Sequence, residues 1–317
     1  LSLVAHEYFH LWNVKRLRPV QLGPFNYDKE NYTTLLWLSE GFTSYYEEQI
    51  LKRTNNHSEK DYLEAIADGI SVIENQPGNK VQSAAESSFD AWIKHYRPNE
   101  NSYNSSVSYY SKGSVLGSML DLEIINATNG QKGLDDVLRL LYDNFYKKVN
   151  KGITETDFQK AVETIAGKPL EQFFKDYVTG TKTIDYAKIL GYAGLEIKNT
   201  NPDSSKVNLG ANLVEKEGKL TTRSVIRGTS AYEDGLNAED EILAINGFRT
   251  NSDKLTKFLN NKKPGDKITL TISRDDIIKE INITLKANTN YKYQISKKKT
   301  LSAEQEKVYK KWLAVKG

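Results

Sequence analysis

The 317-residue sequence contains no cysteine, a single methionine and seven prolines. The first absence excludes disulfides, thiolate metal sites and cysteine nucleophiles together. Long apolar runs are missing too: no stretch approaches the roughly 20 residues that a membrane-spanning helix needs, and no segment reads as a signal peptide. There is little excess of either charge, because 44 lysines and arginines face 41 aspartates and glutamates. The resulting net charge of +3 is scattered along the chain, which argues against a nucleic-acid partner. The one basic run, SKKKT near the C-terminus, reads as a solvated tail. Lack of disulfides leaves the compartment open, with an exported, periplasmic location preferred to a cytoplasmic one.

What the chain does have is aromatic bulk, with 19 tyrosines and four tryptophans, and enough length for about two domains. Apolar residues recur at three- and four-residue spacing in TTLLWLSEGFTSYYEEQILKR, SKGSVLGSMLDLEIINATNG and GLDDVLRLLYDNFYKKV, which predicts helices there. Thr154 and Asp157 form a capping-box pattern that stops at Gly167, and Pro169 is expected in the first turn of a following helix closed by Gly180. Beyond about residue 188 the pattern changes to short β-type runs such as LEIKN, EILAING and KITLTIS, interrupted by one helical stretch, SDKLTKFLNNK. The expected fold class is α+β and multidomain. A mostly helical region over 1–187 precedes a small β-barrel or sandwich domain over 188–290, and 291–317 forms a basic linker and a terminal helix whose Trp312 docks back on the body.

The string HEYFH at residues 6–10 carries the clearest chemistry. Residues four apart on an α-helix lie one turn above each other, so the imidazoles of His6 and His10 can converge on one ion, with Glu7 one position round. This spacing suits zinc: the metal lowers the pKa of a bound water towards ~7, and the glutamate takes the proton as that water attacks a carbonyl. A catalytic zinc site needs a third protein ligand. His57 lies in the polar string RTNNHSEK and His95 in AWIKHYRP, and both read as surface or structural residues. Glu40 in WLSEGFTSYYEEQIL is the better candidate, because it opens a second amphipathic helix where a carboxylate can point back at the first. One Zn2+ per chain is expected on His6, His10 and Glu40.

WLSEGFTSYYE resembles the second metal helix of the gluzincin metallopeptidases, in which HExxH is followed by a glutamate at the start of a downstream helix. Ser44 stands where thermolysin-type members place an aspartate, so the likeness is to the aminopeptidase branch. The 29 residues between His10 and Glu40, together with HLWNVKRLRP, are similar to the glycyl aminopeptidase family, whose members carry a C-terminal PDZ domain. That resemblance implies a thermolysin- or aminopeptidase-like catalytic subdomain and a preference for small N-terminal residues. It also implies a β-rich segment upstream of HExxH, so that the chain corresponds to the C-terminal portion of such a protein. SVSYYSKGSVLGSMLDLEI looks like the segment whose tyrosine donates to the oxyanion of the tetrahedral intermediate; the match falls on Tyr110, with Tyr109 as the alternative. A phenol suits that task as a neutral donor at pH 7. Lys15, Arg16 and Arg18, in the loop after the motif, either contact substrate or hold the loop through salt bridges.

GTSAYEDGLNAEDEILAINGFRT resembles the heart of a PDZ domain, with an Asn246-Gly247 hairpin suited to a type I′ turn. Leu209, Gly210, Ala211 and Asn212 stand where such a domain places its carboxylate-binding loop, so a peptide C-terminus is a possible partner in addition to a peptide or protein substrate. The leading functional expectation is a zinc aminopeptidase with Glu7 as general base and acid. A zinc endopeptidase recruited by its PDZ domain, and a PDZ peptide-binding module with a relic peptidase half, are the alternatives.

Overall fold

The structure is a computed structural model that describes residues 1–314, and its chain divides into two compact units. The first comprises residues 1–97, 106–200 and 292–317, the second residues 98–105 and 201–291. Residues 315–317, the end of the expected terminal segment, lie outside the described residues.

The helical periodicity is realised in the first unit. The motif lies on the helix Ser2–Phe9. A π-helical turn, Trp37–Gly41, leads without a break into the helix Phe42–Arg53, so Glu40 sits in that turn and not at a simple helix start. The Glu59–Glu74 helix begins with a reciprocal Ser58/Asp61 capping box. The longest helix, Tyr109–Ala127, is buried on nearly every side, with Leu116, Met119, Leu120 and Leu122 all fully inaccessible. Its approach to the π turn is possible only because both contact positions are glycine. A Cβ on Gly41 would lie 2.4 Å from the Gly113 Cα, and a Cβ on Gly113 would lie 2.3 Å from the Trp37 carbonyl oxygen. Thr154 and Asp157 cap the helix Glu155–Ala166, and Gly167 ends it at φ +67°, as the sequence predicts. Two details differ. The segment GLDDVLRLLYDNFYKKV is helical over Leu134–Leu141 and then widens into a π turn at Tyr142–Lys147. Pro169 precedes the N-cap residue Leu170 and is not in the first turn of the short helix Glu171–Phe173.

The expected boundary at 187/188 is displaced to 200/201, whereas the one at 290/291 falls within one residue of the observed 291/292. Strand Leu195–Asn199, assigned from sequence to the second domain, pairs antiparallel with Tyr293–Lys297 and belongs to the first unit. The reason is packing: Leu195 and Ile295 are buried in the main helical core, which the β-type texture of LEIKN does not reveal. Residues 292–314 are accordingly not a linker. They supply this strand and the helix Ala303–Trp312, whose Trp312 is buried and donates from Nε1 to the Tyr45 hydroxyl at 3.0 Å, as its docking was expected to require.

The second unit is an antiparallel sheet with strands in the order Ala211–Lys216, Lys219–Val225, Glu241–Ile245, Lys267–Arg274, Ile277–Thr284. The short strand Phe248–Arg249 also pairs with Glu241–Ile245 across Asn246 and Gly247, whose φ values of +48° and +80° suit the expected type I′ turn. A separate core of Leu220, Leu236, Ile242, Leu255, Leu270 and Ile283 fills it. The ion pair of Arg274 with the fully buried Asp240, at 2.6 Å, ties the last long hairpin to the turn before Glu241. Residues 98–105 join this unit through Asn104. Its side chain donates to the Val225 carbonyl at 2.8 Å and accepts from the Arg227 amide at 2.9 Å, substituting for a neighbouring strand at that point. The architecture is thus α+β, a helical part followed by an antiparallel-sheet unit with its own core, as the sequence predicts.

Candidate metal centre

Helix phase aligns His6 and His10, and the π turn delivers Glu40 to them. The Glu40 Oε2 lies 3.4 Å from the His6 Nε2 and 3.3 Å from the His10 Nε2, and one donor atom from each residue falls within 4.8 Å of the other two. Both imidazoles turn their second nitrogen away from this point. The His10 Nδ1 is 2.7 Å from the Asn13 carbonyl, and because a carbonyl only accepts, that nitrogen must carry the hydrogen. The His6 Nδ1 is 3.1 Å from the Glu47 carboxylate. Each Nε2 therefore keeps its lone pair for a ligand, the arrangement that outer partners of metal-binding histidines produce.

The donor set fits zinc. With Zn–N and Zn–O bonds of about 2.0–2.2 Å, two ligands at tetrahedral angles stand roughly 3.3–3.5 Å apart. The two histidine-to-glutamate separations match that edge. Hydrogen bonding to Glu40, more than the opposing effect of burial, raises the pKa of His10, so a metal ion binding here would compete with a proton.

A cleft of about 610 Å³ contains these three residues together with Glu7 and Tyr110. The Tyr110 ring stacks near His6 with centroids 6.5 Å apart, whereas Tyr109 is only 1% exposed and its hydroxyl lies 3.3 Å from that of Tyr96. Of the two tyrosines that the sequence left open, Tyr110 is the one that lines the cleft. Burial first, and then the Glu40 carboxylate, raises the pKa of its phenol, which keeps the hydroxyl protonated and able to donate.

Several contributors to this site were not singled out from sequence. Glu47 is seven residues beyond Glu40, close to two helical turns, and that phase was the available signal for a partner of His6. Asn13 supplies its backbone carbonyl to His10 while its own buried amide donates to the carbonyls of Leu38 and Ser39, both at 3.0 Å, so it also ties the motif turn to the turn bearing Glu40. His95 packs its ring 5.7 Å from that of Tyr110 and 4.9 Å from that of Tyr109, and it is not among the residues that converge with His6, His10 and Glu40. His57 forms an ion pair with Glu48 at 3.0 Å. Arg16 donates to the Leu11 carbonyl, so it holds the loop through a backbone contact in place of the salt bridge considered from sequence.

In the second unit, the Leu209–Asn212 stretch forms a tight loop entering the outer strand Ala211–Lys216. Gly210 has φ +78°, and a Cβ there would lie 2.0 Å from the Thr229 Oγ1, so only glycine fits. The Ile226 amide donates to the Gly210 carbonyl, the Ala231 amide to the Leu209 carbonyl, and the Asn212 side chain to the Ser224 hydroxyl, each at 2.8 Å. The Gly210 amide donates to the Asn208 side chain at 2.9 Å, so a carboxylate seeking that amide would have to displace it.

Residues 1–116 match the model of the M61 glycyl aminopeptidase family and residues 207–285 that of the PDZ domain family, so the two matches lie one after the other along the chain. A crystal structure of an aminopeptidase N family protein from Idiomarina loihiensis superposes with a TM-score of 0.87 at 31% identity, covering 99% of this chain and 54% of that one. The chain therefore spans about half the length of this relative. Partial overlaps occur with an HtrA-type protease bound to a decapeptide (TM-score 0.26, 17% identity, 27% of this chain and 30% of that one). Another is with a PDZ domain protein from Parabacteroides distasonis (TM-score 0.22, 21% identity, 32% and 23%), and both overlaps are too small to carry a conclusion. None of the curated proteins matches the chain.

Proposed function

We propose that the protein is a zinc-dependent aminopeptidase that removes small N-terminal residues, glycine or alanine, from peptides. The observation that carries this reading is the convergence of the His6 and His10 Nε2 atoms on the Glu40 carboxylate, in a cleft shared with Glu7 and Tyr110. When bound by His6, His10 and Glu40, zinc would acidify a water and polarise the scissile carbonyl. Glu7 takes the proton from the attacking water at its carboxylate and returns it to the leaving amine nitrogen, acting as base and then as acid. Tyr110 donates its hydroxyl hydrogen to the carbonyl oxygen as negative charge builds there, in the manner of an oxyanion-hole donor. Glu47 and the Asn13 carbonyl hold the two imidazoles in the tautomer that leaves Nε2 free.

The test uses the full-length protein. Stoichiometric zinc on metal analysis, and release of free glycine or alanine from peptides beginning with those residues, are expected; N-terminal acetylation of the peptides should abolish release. Glu7→Gln should retain zinc and lose turnover. Protein without stoichiometric zinc, or Glu7→Gln with substantial residual hydrolysis, would overturn the mechanism. The PDZ domain at 207–285 favours a second reading, an endopeptidase that draws in substrates by their C-termini. Internal cleavage of acetylated peptides would select it.

A further inference from the structure

We infer that a second cavity, opening off the metal-side cleft, receives the side chain of the second residue of the substrate and selects a basic one. This rests on the aminopeptidase reading above. The cavity holds about 250 Å³ and shares Ser44, Glu47 and Tyr110 with the cleft, so a peptide positioned at the cluster has direct access to it. A leading glycine or alanine has at most a methyl group to place and leaves such a volume empty. The next residue, on the other side of the scissile bond, is therefore the one that would fill it.

The walls give the cavity its preference. The Glu59–Glu74 helix contributes Ala65, Gly69 and Val72, an apolar surface on which the methylenes of a lysine or arginine can lie. Gly69 leaves that wall open: a Cβ there would meet only the Val115 Cγ2, at 3.6 Å. Ser111 and Ser114 of the helix Tyr109–Ala127 supply hydroxyl acceptors, and Glu47 and Glu48 supply carboxylates. No lysine or arginine is among its lining residues, so an acidic side chain would enter without a compensating charge, beside two like charges. Glu48 is half-buried, and its ion pair with His57 at 3.0 Å satisfies one of its oxygens. Burial raises the pKa of its carboxyl and Glu47 adds to the shift, against the lowering effect of His57; a cation brought alongside would relieve that cost.

The experiment compares kcat/KM of the full-length zinc enzyme for peptides that begin Gly-Gly, Gly-Lys and Gly-Glu and are otherwise identical. Gly-Lys should exceed Gly-Glu by about tenfold or more, the scale of one hydrogen bond to a charged group. Glu48→Gln should shrink that ratio, and Gly69→Leu, which fills the cavity from an open wall, should lower the rate for Gly-Lys relative to that for Gly-Gly. Equal rates for Gly-Lys and Gly-Glu, with Gly-Gly still hydrolysed, would overturn the subsite and leave the peptidase reading intact. A Gly69→Leu enzyme with an unchanged Gly-Lys to Gly-Gly ratio would do the same. Hydrolysis of none of the three by wild-type enzyme would remove the aminopeptidase reading and this inference with it.

Discussion

Replacing Glu47 by alanine removes the hydrogen-bond partner of the His6 Nδ1, which lies 3.1 Å from the carboxylate, without touching any of the three candidate ligands. The two side chains are 12% and 21% exposed, so the contact is partly shielded from water. A hydrogen bond to a charged acceptor contributes about 1.5–3 kcal/mol when buried, and partial exposure places this one towards the lower end. Loss of an outer partner of a metal-binding histidine weakens metal binding by about 10- to 100-fold, or roughly 1.4–2.8 kcal/mol. The zinc Kd of Glu47→Ala, measured by competition with a chromogenic chelator, should therefore rise by that factor, while the helix Phe42–Arg53 keeps its fold. Glu47→Gln should fall between the two, because an amide oxygen still accepts from Nδ1–H but without the charge. A Kd within about twofold of wild type for Glu47→Ala would show that His6 needs no such anchor and would refute the reasoning.

Tyr110→Phe should lower kcat by roughly 10²-fold or more, the scale for one oxyanion donor, with little effect on zinc content; unchanged kcat would exclude Tyr110 as the donor. Gly113→Ala should cost about 1–3 kcal/mol in urea unfolding and impair zinc binding, because its Cβ would lie 2.3 Å from the Trp37 carbonyl; wild-type stability and zinc affinity would contradict the close crossing. The carboxyl of Asp121 is pushed up to about 6 by burial, although it accepts from the Tyr45 hydroxyl and the Leu134 amide, against ~3.9 in an unfolded chain. Its folded form holds the proton more tightly, so the stability it contributes is complete below about pH 4 and is lost as the pH rises through about 6. Asp121→Asn does not titrate, and its stability relative to wild type should therefore rise between pH 4.5 and pH 7, by at most about 3 kcal/mol. A difference that stays constant across that range would show that Asp121 does not titrate as described.

The parts of the fold that were legible in the sequence are those specified by local chemistry. Thr154 and Asp157 announce a helix start, Gly167 a helix end and Asn246-Gly247 a two-residue hairpin, because each feature satisfies or frees backbone groups within a few residues of itself. His6 and His10 could be paired for the same reason, since four residues is one helical turn. Most features that depend on distant packing were not legible, the docking of Trp312 and the return of Glu40 to the motif helix being the exceptions. LEIKN reads as a strand, but which unit it joins is decided by Leu195 and Ile295 entering the helical core. Residues 98–105 carry no periodicity that assigns them to the second unit; the contacts of Asn104 with Val225 and Arg227 show the assignment only in three dimensions. Glu47 could have been found from its helical phase. The role of Asn13 could not, because it acts on His10 through its backbone carbonyl, and any residue has one.

The three candidate ligands are positioned by devices that involve no metal. Helix phase sets His6 against His10. The Gly41–Gly113 contact fixes the turn that bears Glu40 against the helix that bears Tyr110, because these two residues stand one and three positions before the touching glycines. Asn13 then joins the motif turn to the Glu40 turn through two side-chain bonds to backbone carbonyls. With the backbone settled in this way, little binding free energy is spent on ordering the site when an ion arrives. What remains adjustable is the rotation of each imidazole about its side-chain bonds. That rotation is governed by the Nδ1 partners: a backbone carbonyl that no side-chain substitution removes in the case of His10, and a single carboxylate in the case of His6. The two histidines are therefore unequal. His10 is fixed by the fold, whereas His6 depends on Glu47, and the affinity of such a site for a metal ion would be most easily tuned through that one residue.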